Sequence, residues 1–469
     1  MVNVKIQNQI LKSEKGRLLS DFLTDNGFYS AHPCGGQGTC GKCKVTVNGA
    51  SVLSCRYIID DDIIVELPDV QQAFEKDIEF SGEIKGNLSY ALDLGTTTLA
   101  MALVDVNKKD VLKTVTRPNP QAVFGADVIS RIDYCSKNSV RKPQLALVRE
   151  LNLMALSLGG AFCENLYVSG NTTMLHILFG EDPSSMGVAP YTPQFLNTKT
   201  TQGTHIGLKF AKQVKSLPCI STFVGADLVA GLNFTDFPYD DKYNLLVDLG
   251  TNAEIVLYSK NKALCTSAAA GPCFEGANIS CGMSATDGAV YAFDIDMSNK
   301  ISVKTISGKK AEGLCGTGLV DVICVLVEHG IIDETGYMDC GSFEIAENVR
   351  LLQEDVRQYQ LAKSAVYSAI MTLIELNGVA FEQIEKMYIS GGFSSEINVE
   401  NAVATGLLPR ELKDKVVSLN NSSLSGTIKY SFEQSQLEQY IENAKYIDLS
   451  LNQRFSELFI ENMEFQKDE

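Results

Sequence analysis

Two segments of this chain, 155 residues apart, repeat one pattern. Tyr90–Asp105 reads YALDLGTTTLAMALVD and Leu245–Lys260 reads LLVDLGTNAEIVLYSK. Each is an apolar strand that ends in Asp-Leu-Gly-Thr and turns at once into a second strand, with Asp93 and Asp248 at the equivalent place. A Gly/Thr turn offers backbone N–H and hydroxyl donors to phosphate, and an Asp beside it can hold Mg²⁺ through water. From residue 88 onward, strand-like segments ending in Gly alternate with helical patterns, among them 143–158, 319–328 and 361–376. DLSLNQRFSELFIENMEF near the end reads as a strand followed by an amphipathic helix. The expectation is an α/β domain over 88–469 built of two similar lobes, about 88–240 and 241–469.

The part that precedes the repeat is organised by cysteine. Four of the 13 Cys fall close together as Cys34, Cys40, Cys43 and Cys55, spaced C-x5-C-x2-C-x11-C, and the other nine scatter from Cys135 to Cys340. Four thiolates can hold the two irons of a [2Fe-2S] cluster. Gly35, Gly36, Gly38 and Gly41 let the loop fold tightly and bring N–H groups to the sulfides. A structural zinc site is the competing reading, but zinc ribbons pair two Cys-x2-Cys units, and here the fourth Cys stands alone after a hairpin. VNVKIQ reads as a strand, LLSDFLTDNGF as a short helix, KVTVNGASVLSC as a hairpin turning at Asn48-Gly49 and DIIVELP as a closing strand. That makes a β-grasp-like domain over 1–68, joined by a polar linker over 69–87.

Charge narrows the partners. A formal net charge of −17 with no Lys/Arg cluster argues against nucleic acid and against an anionic membrane. No apolar run approaches the roughly 20 residues of a membrane span. The opening MVNVKIQNQI has no apolar signal segment, so a cytoplasmic protein with reduced thiols is expected. Cys135, Cys163, Cys219, Cys265, Cys324 and Cys340 read as small buried apolar groups. His176 reads as a core histidine and His32 as solvent-facing. Cys273, Cys281 and Cys315 lie near Gly-rich turns, where a second cluster is conceivable.

The full order of motifs resembles the actin/hexokinase superfamily. Asp93-Leu94-Gly95-Thr96-Thr97-Thr98 and Asp248-Leu249-Gly250-Thr251-Asn252 match its two phosphate turns, and Ile389-Ser390-Gly391-Gly392-Phe393-Ser394 its adenosine motif. Ser169-Gly170-Asn171 lies near its first connector and Asn398–Pro409 resembles its second. The resemblance implies ATP and Mg²⁺ bound by these turns, facing one another, with Asp93 and Asp248 essential. Gly316-Thr317-Gly318 opens a helix and reads either as a phosphate or ribose site or as a helix start. Gln121 and Asp127 are the candidates for orienting the attacking water, with an N-cap as the other reading of Asp127.

Five further segments narrow the family: Asn119-Pro120-Gln121, Phe124–Arg131, Val168–Met174, Ala270–Ala277 and Tyr446–Ser450. They resemble the reductive activators of corrinoid proteins over nearly the whole chain. In that family ATP hydrolysis drives an electron from the cluster to cobalt(II) of an inactivated corrinoid protein and restores cobalt(I). The resemblance therefore implies a corrinoid protein of a methyltransferase system as partner, and an upstream low-potential electron donor. Members usually carry a middle domain between the ferredoxin and nucleotide modules, and here only some 20 residues join them, so a homodimer is left open. No Cys follows Cys340, so one cluster is expected. A redox-regulated small-molecule kinase and a non-catalytic electron-transfer module are the alternatives.

Overall fold

The computed structural model describes residues 1–6, 9–26, 28, 43–67, 85–238, 242–391, 397–433 and 437–465. The chain divides into two compact units, Met1–Leu217 and Pro218–Glu469. Among the described residues no helix is long and apolar enough to cross a membrane.

In the first unit, the N-terminal segment forms a five-stranded mixed sheet in the order Gln9–Ser13, Val2–Ile6, Ile63–Glu66, Lys44–Val47, Ala50–Leu53. Along Val2–Ile6 alternate residues are buried and exposed, the period of a sheet with one covered face. Val4, Ile6, Val45 and Val65 share their core with Leu19, Phe22 and Leu23 of the helix Leu19–Asp25. Asn48 and Gly49 both take positive φ, 49° and 81°; that pair matches the two-residue turn which closes hairpins with the natural strand twist. The strand Gln9–Ser13 was not read from the sequence. Lys85–Asn87, expected to end the linker, already belong to the strand Lys85–Leu94; residues 69–84 lie outside the described residues.

Each unit holds a six-stranded sheet, and the two share a plan. The first runs Asp110–Pro118, Thr98–Asp105, Lys85–Leu94, Cys163–Gly170, Ala211–Ser216 and the edge strand Thr200–Gln202. The second runs Ala263–Ala268, Ala253–Tyr258, Tyr243–Leu249, Ile384–Ser390, Val416–Ser418, with Ala444–Tyr446 added at the opposite edge. In both, three antiparallel strands in meander order are followed by two parallel ones. The repeat seen in the sequence is thus a repeat of topology.

It extends to register. Asp93 pairs with Ser169 and Leu94 with Gly170, and Asp248 pairs with Ser390. The next residue, Gly391, has φ +115°, and a Cβ there would lie 2.1 Å from the Leu249 carbonyl oxygen; at Gly170, with φ +149°, a Cβ would lie 2.6 Å from that of Leu94. Two unlike-looking Ser-Gly segments are the same device, a glycine crossing tightly over the strand that carries the Asp. Gly391→Ala is therefore expected to lower the unfolding temperature, with about 1–3 kcal/mol lost to backbone strain alone. An unchanged thermal unfolding curve would show that the crossing can relax.

Two sequence expectations change in the second unit. Its helix Ala226–Phe234 lies against Ser422–Phe432. Glycine permits that approach: a Cβ on Gly426 would overlap the Ala230 carbonyl oxygen at 1.7 Å. Asp448-Leu449-Ser450-Leu451 is a short 3-10 turn rather than a strand, because the Asp448 carboxylate accepts from the Ser450 N–H at 2.9 Å. Cys340 is exposed; the other five cysteines read as core are buried.

Candidate active site

Cys43 and Cys55 lie at the two ends of the hairpin Lys44–Leu53, so pairing of its strands brings them together. Their sulfurs are 3.3 Å apart, with 1% and 4% of each residue exposed. That is too long for the S–S bond of about 2.05 Å and suits two thiolates on one iron. The Ser54 N–H donates to the Cys43 carbonyl at 3.0 Å, and the Ser20 N–H to the Ser54 carbonyl at 3.0 Å, which anchors the Cys55 end to the helix. These two residues fit the cluster assignment; Cys34 and Cys40 lie outside the described residues.

Asp93, half-buried, ends its strand, and Gly95–Thr97 turn into the strand Thr98–Asp105. A Cβ on Gly95 would meet the Thr98 carbonyl oxygen at 2.4 Å, so the turn requires glycine. Its other groups are held from within: Asn171 Nδ2 donates to Thr96 Oγ1 at 2.8 Å, and Asn119 Nδ2 to the Gly95 carbonyl at 2.8 Å. Thr97 and Thr98 are exposed.

The second turn is built alike. Asp248 is half-buried at the end of its strand, Gly250 N–H donates to the Asn252 carbonyl at 3.0 Å, and Thr251 Oγ1 donates to Glu275 Oε2 at 2.6 Å. A Cβ on Gly250 would touch nothing closer than 3.7 Å. Glycine there serves no packing need of this chain and leaves room for a ligand to approach the backbone. Opposite Asp248 stands Glu254. Burial, then the charges of Asp227 and Asp248, hold its carboxyl well above the usual carboxylate range. Among the described residues no three His, Cys, Asp or Glu side chains form a direct ligand set.

Other expected site residues fare differently. Gln121 has no exposed surface; its Oε1 accepts from Asn119 and Arg131 and its Nε2 donates to the Pro143 carbonyl. A side chain so enclosed does not fit the role of holding an attacking water, and that expectation is corrected. Asp127 is exposed and caps the helix Val128–Lys137 in a reciprocal pair with Ser130, the N-cap reading. Gly316, Thr317 and Gly318 are all buried at the start of the helix Gly316–Glu328. Cβ atoms on the two glycines would strike the Phe274 and Val290 carbonyl oxygens at 2.1 and 2.2 Å. Their glycines serve helix packing, which favours the helix-start reading. Gly391 follows directly on the strand Ile384–Ser390, and Gly392 and Phe393 lie outside the described residues. His176 is fully buried, its Nδ1 bonded to the Thr172 carbonyl and its Nε2 accepting from the Gln194 N–H. His32 lies outside the described residues.

Sequence reasoning gave no individual role to Asp227, Glu275, Asn119 and Arg131. One signal for Asp227 was present: Gly225-Ala226-Asp227 repeats Gly125-Ala126-Asp127, again at a helix start.

Comparison with known proteins identifies the domains. Family models match residues 2–66 (2Fe-2S iron-sulfur cluster binding domain), 88–239 (RACo middle region) and 242–469 (C-terminal domain of RACo, the ASKHA domain). A middle region is thus present, and it coincides with the stretch read as the first nucleotide lobe; the expectation that it is missing is corrected. The corrinoid activation enzyme RamQ of Eubacterium limosum is 30% identical over 418 residues, 80% of this chain and 70% of that protein. The [Co(II) methylated amine-specific corrinoid protein] reductase of Methanosarcina barkeri is 28% identical over 392 residues, 76% and 72% of the two chains. A solved reductive activator for corrinoid, iron-sulfur protein shares the fold, with a TM-score of 0.73 and 24% identity over 99% of this chain and 98% of its own. The chain therefore belongs to the ATP-dependent reductive activators of corrinoid proteins.

Proposed function

We infer that this protein passes one electron from a [2Fe-2S] cluster to cobalt(II) of an inactivated corrinoid protein, regenerating cobalt(I) for methyl transfer at the expense of ATP. What carries the reading is the union, in one chain of this family, of the buried Cys43–Cys55 pair with a duplicated Asp-Leu-Gly-Thr turn. Cys34, Cys40, Cys43 and Cys55 would hold the cluster, which supplies the electron and is refilled by an upstream low-potential donor. Asp93, Gly95, Thr96, Thr97, Thr98, Asp248, Gly250, Thr251 and Asn252 serve MgATP, with Gly391, Gly392 and Phe393 at the adenosine end. Outside the cluster set, the nine described cysteines are free thiols, which favours a cytoplasmic setting.

ATP is needed for an energetic reason. Plant-type clusters lie near about −400 mV, and cobalt(II) reduction is harder still. A deficit of about 100 mV for one electron costs about 2.3 kcal/mol, from 59 mV per tenfold in equilibrium. Nucleotide turnover covers that by changing how the activator holds its partner. The test is to mix the purified protein with a cobalt(II) corrinoid protein, a reductant and MgATP, and to follow the cobalt absorption spectrum. Cobalt(I) is expected only when all components are present. ATP turnover that ignores the corrinoid protein and follows a small-molecule acceptor instead would establish the kinase reading.

A further inference from the structure

Arg131 has no exposed surface and heads the described residues as the largest fully buried side chain. A guanidinium stays inside a protein only where oxygens take its donors. Its fork reaches three: Nη2 donates to the Thr96 carbonyl at 2.7 Å, Nε to the Gly125 carbonyl at 3.0 Å, and Nη1 to Gln121 Oε1 at 3.3 Å. Asn119 works on the same turn. Its side-chain Nδ2 donates to the Gly95 carbonyl and its backbone N–H to the Thr97 carbonyl, both at 2.8 Å.

Three successive carbonyls, of Gly95, Thr96 and Thr97, are therefore held from the protein side. In a trans peptide the N–H points opposite to the C=O, so the amides of Thr96, Thr97 and Thr98 are turned the other way. Successive N–H groups presented like this form a concavity for an anion. A charged donor on a carbonyl also polarises that peptide and strengthens the N–H at its far end. The Arg131 bond falls on the central peptide of the three.

We propose that Arg131, assisted by Asn119, is a positioning residue for the nucleotide phosphates: it touches no phosphate, and it aims and strengthens the turn amides that do. This rests on the nucleotide reading of the Asp93 turn. It also gives a purpose to the segment Asn119–Arg131, including the enclosed Gln121, which braces the two donors by accepting from both.

The test uses the full-length protein and calorimetric binding of MgATP, MgADP and AMP to the wild type and to Arg131→Met, Arg131→Lys and Asn119→Ser. In Arg131→Met, MgATP affinity is expected to fall at least roughly tenfold, the scale of one lost charge-assisted hydrogen bond, with MgADP affected less and AMP within about twofold. Arg131→Lys should recover part of the loss, since it keeps the charge without the fork. A purely structural role would instead weaken all three ligands alike or none, and either result in a folded variant overturns the proposal. Should Arg131→Met fail to fold, Arg131→Lys and Asn119→Ser decide by the same comparison. A wild-type protein that binds no MgATP would overturn the nucleotide reading itself.

Discussion

Asp248→Asn is expected to lower ATP hydrolysis by at least about 10²-fold, the loss typical of removing one group that organises charge in a transition state, without lowering stability. The carboxylate lies at the end of the strand before the Gly250 turn and faces Glu254, whose carboxyl is pushed well above the usual carboxylate range by burial and then by the charges of Asp227 and Asp248. Asn keeps the shape and removes one charge of that crowd. Thermal unfolding should therefore stay level or move up while activity disappears, the exchange between stability and function expected of strained sites. Asp93→Asn should lose activity to a similar degree, since the two turns are duplicates in sequence and register. Full ATPase activity in Asp248→Asn would refute the assignment of this turn to the nucleotide.

Removing the ferredoxin domain is expected to separate the two chemistries completely. A protein beginning at Ser81 keeps the whole strand Lys85–Leu94 and with it the sheet that carries Asp93. The removed part has its own closed core, from Val2 to Leu67. The segment between them, read from the sequence as a polar linker, would let the electron-carrying domain serve a reductase and a corrinoid protein in turn. The shortened protein should hydrolyse ATP and bind the corrinoid protein, yet transfer no electron unless an external low-potential donor is added. Loss of corrinoid binding, with circular dichroism showing the remainder folded, would mean that the ferredoxin domain is itself the docking surface and that the tether idea fails.

Several features were legible in the sequence because they are local. The spacing of Cys43 and Cys55 across an Asn48-Gly49 hairpin brings their sulfurs together once that turn forms, and adjacent residues set the turn. The duplicated Asp-Leu-Gly-Thr segments announced two like sheets for the same reason, since a strand, its terminal Asp and a glycine turn are continuous in the chain. Where spacing misled, it was blind to what lies across a contact. Gly316 and Gly318 look like a phosphate loop, and only the Phe274 and Val290 carbonyls pressing on them show a packing seam. Gln121 looks available, and only burial under Asn119 and Arg131 shows that it is not. Arg131 itself lies 35 residues from the Thr96 carbonyl it holds. Covalent neighbours determine which turns form, whereas the field and the donors around a turn come from strands and helices that meet only on folding, so the sequence determined the parts and the tertiary structure decided which of them bear on one another.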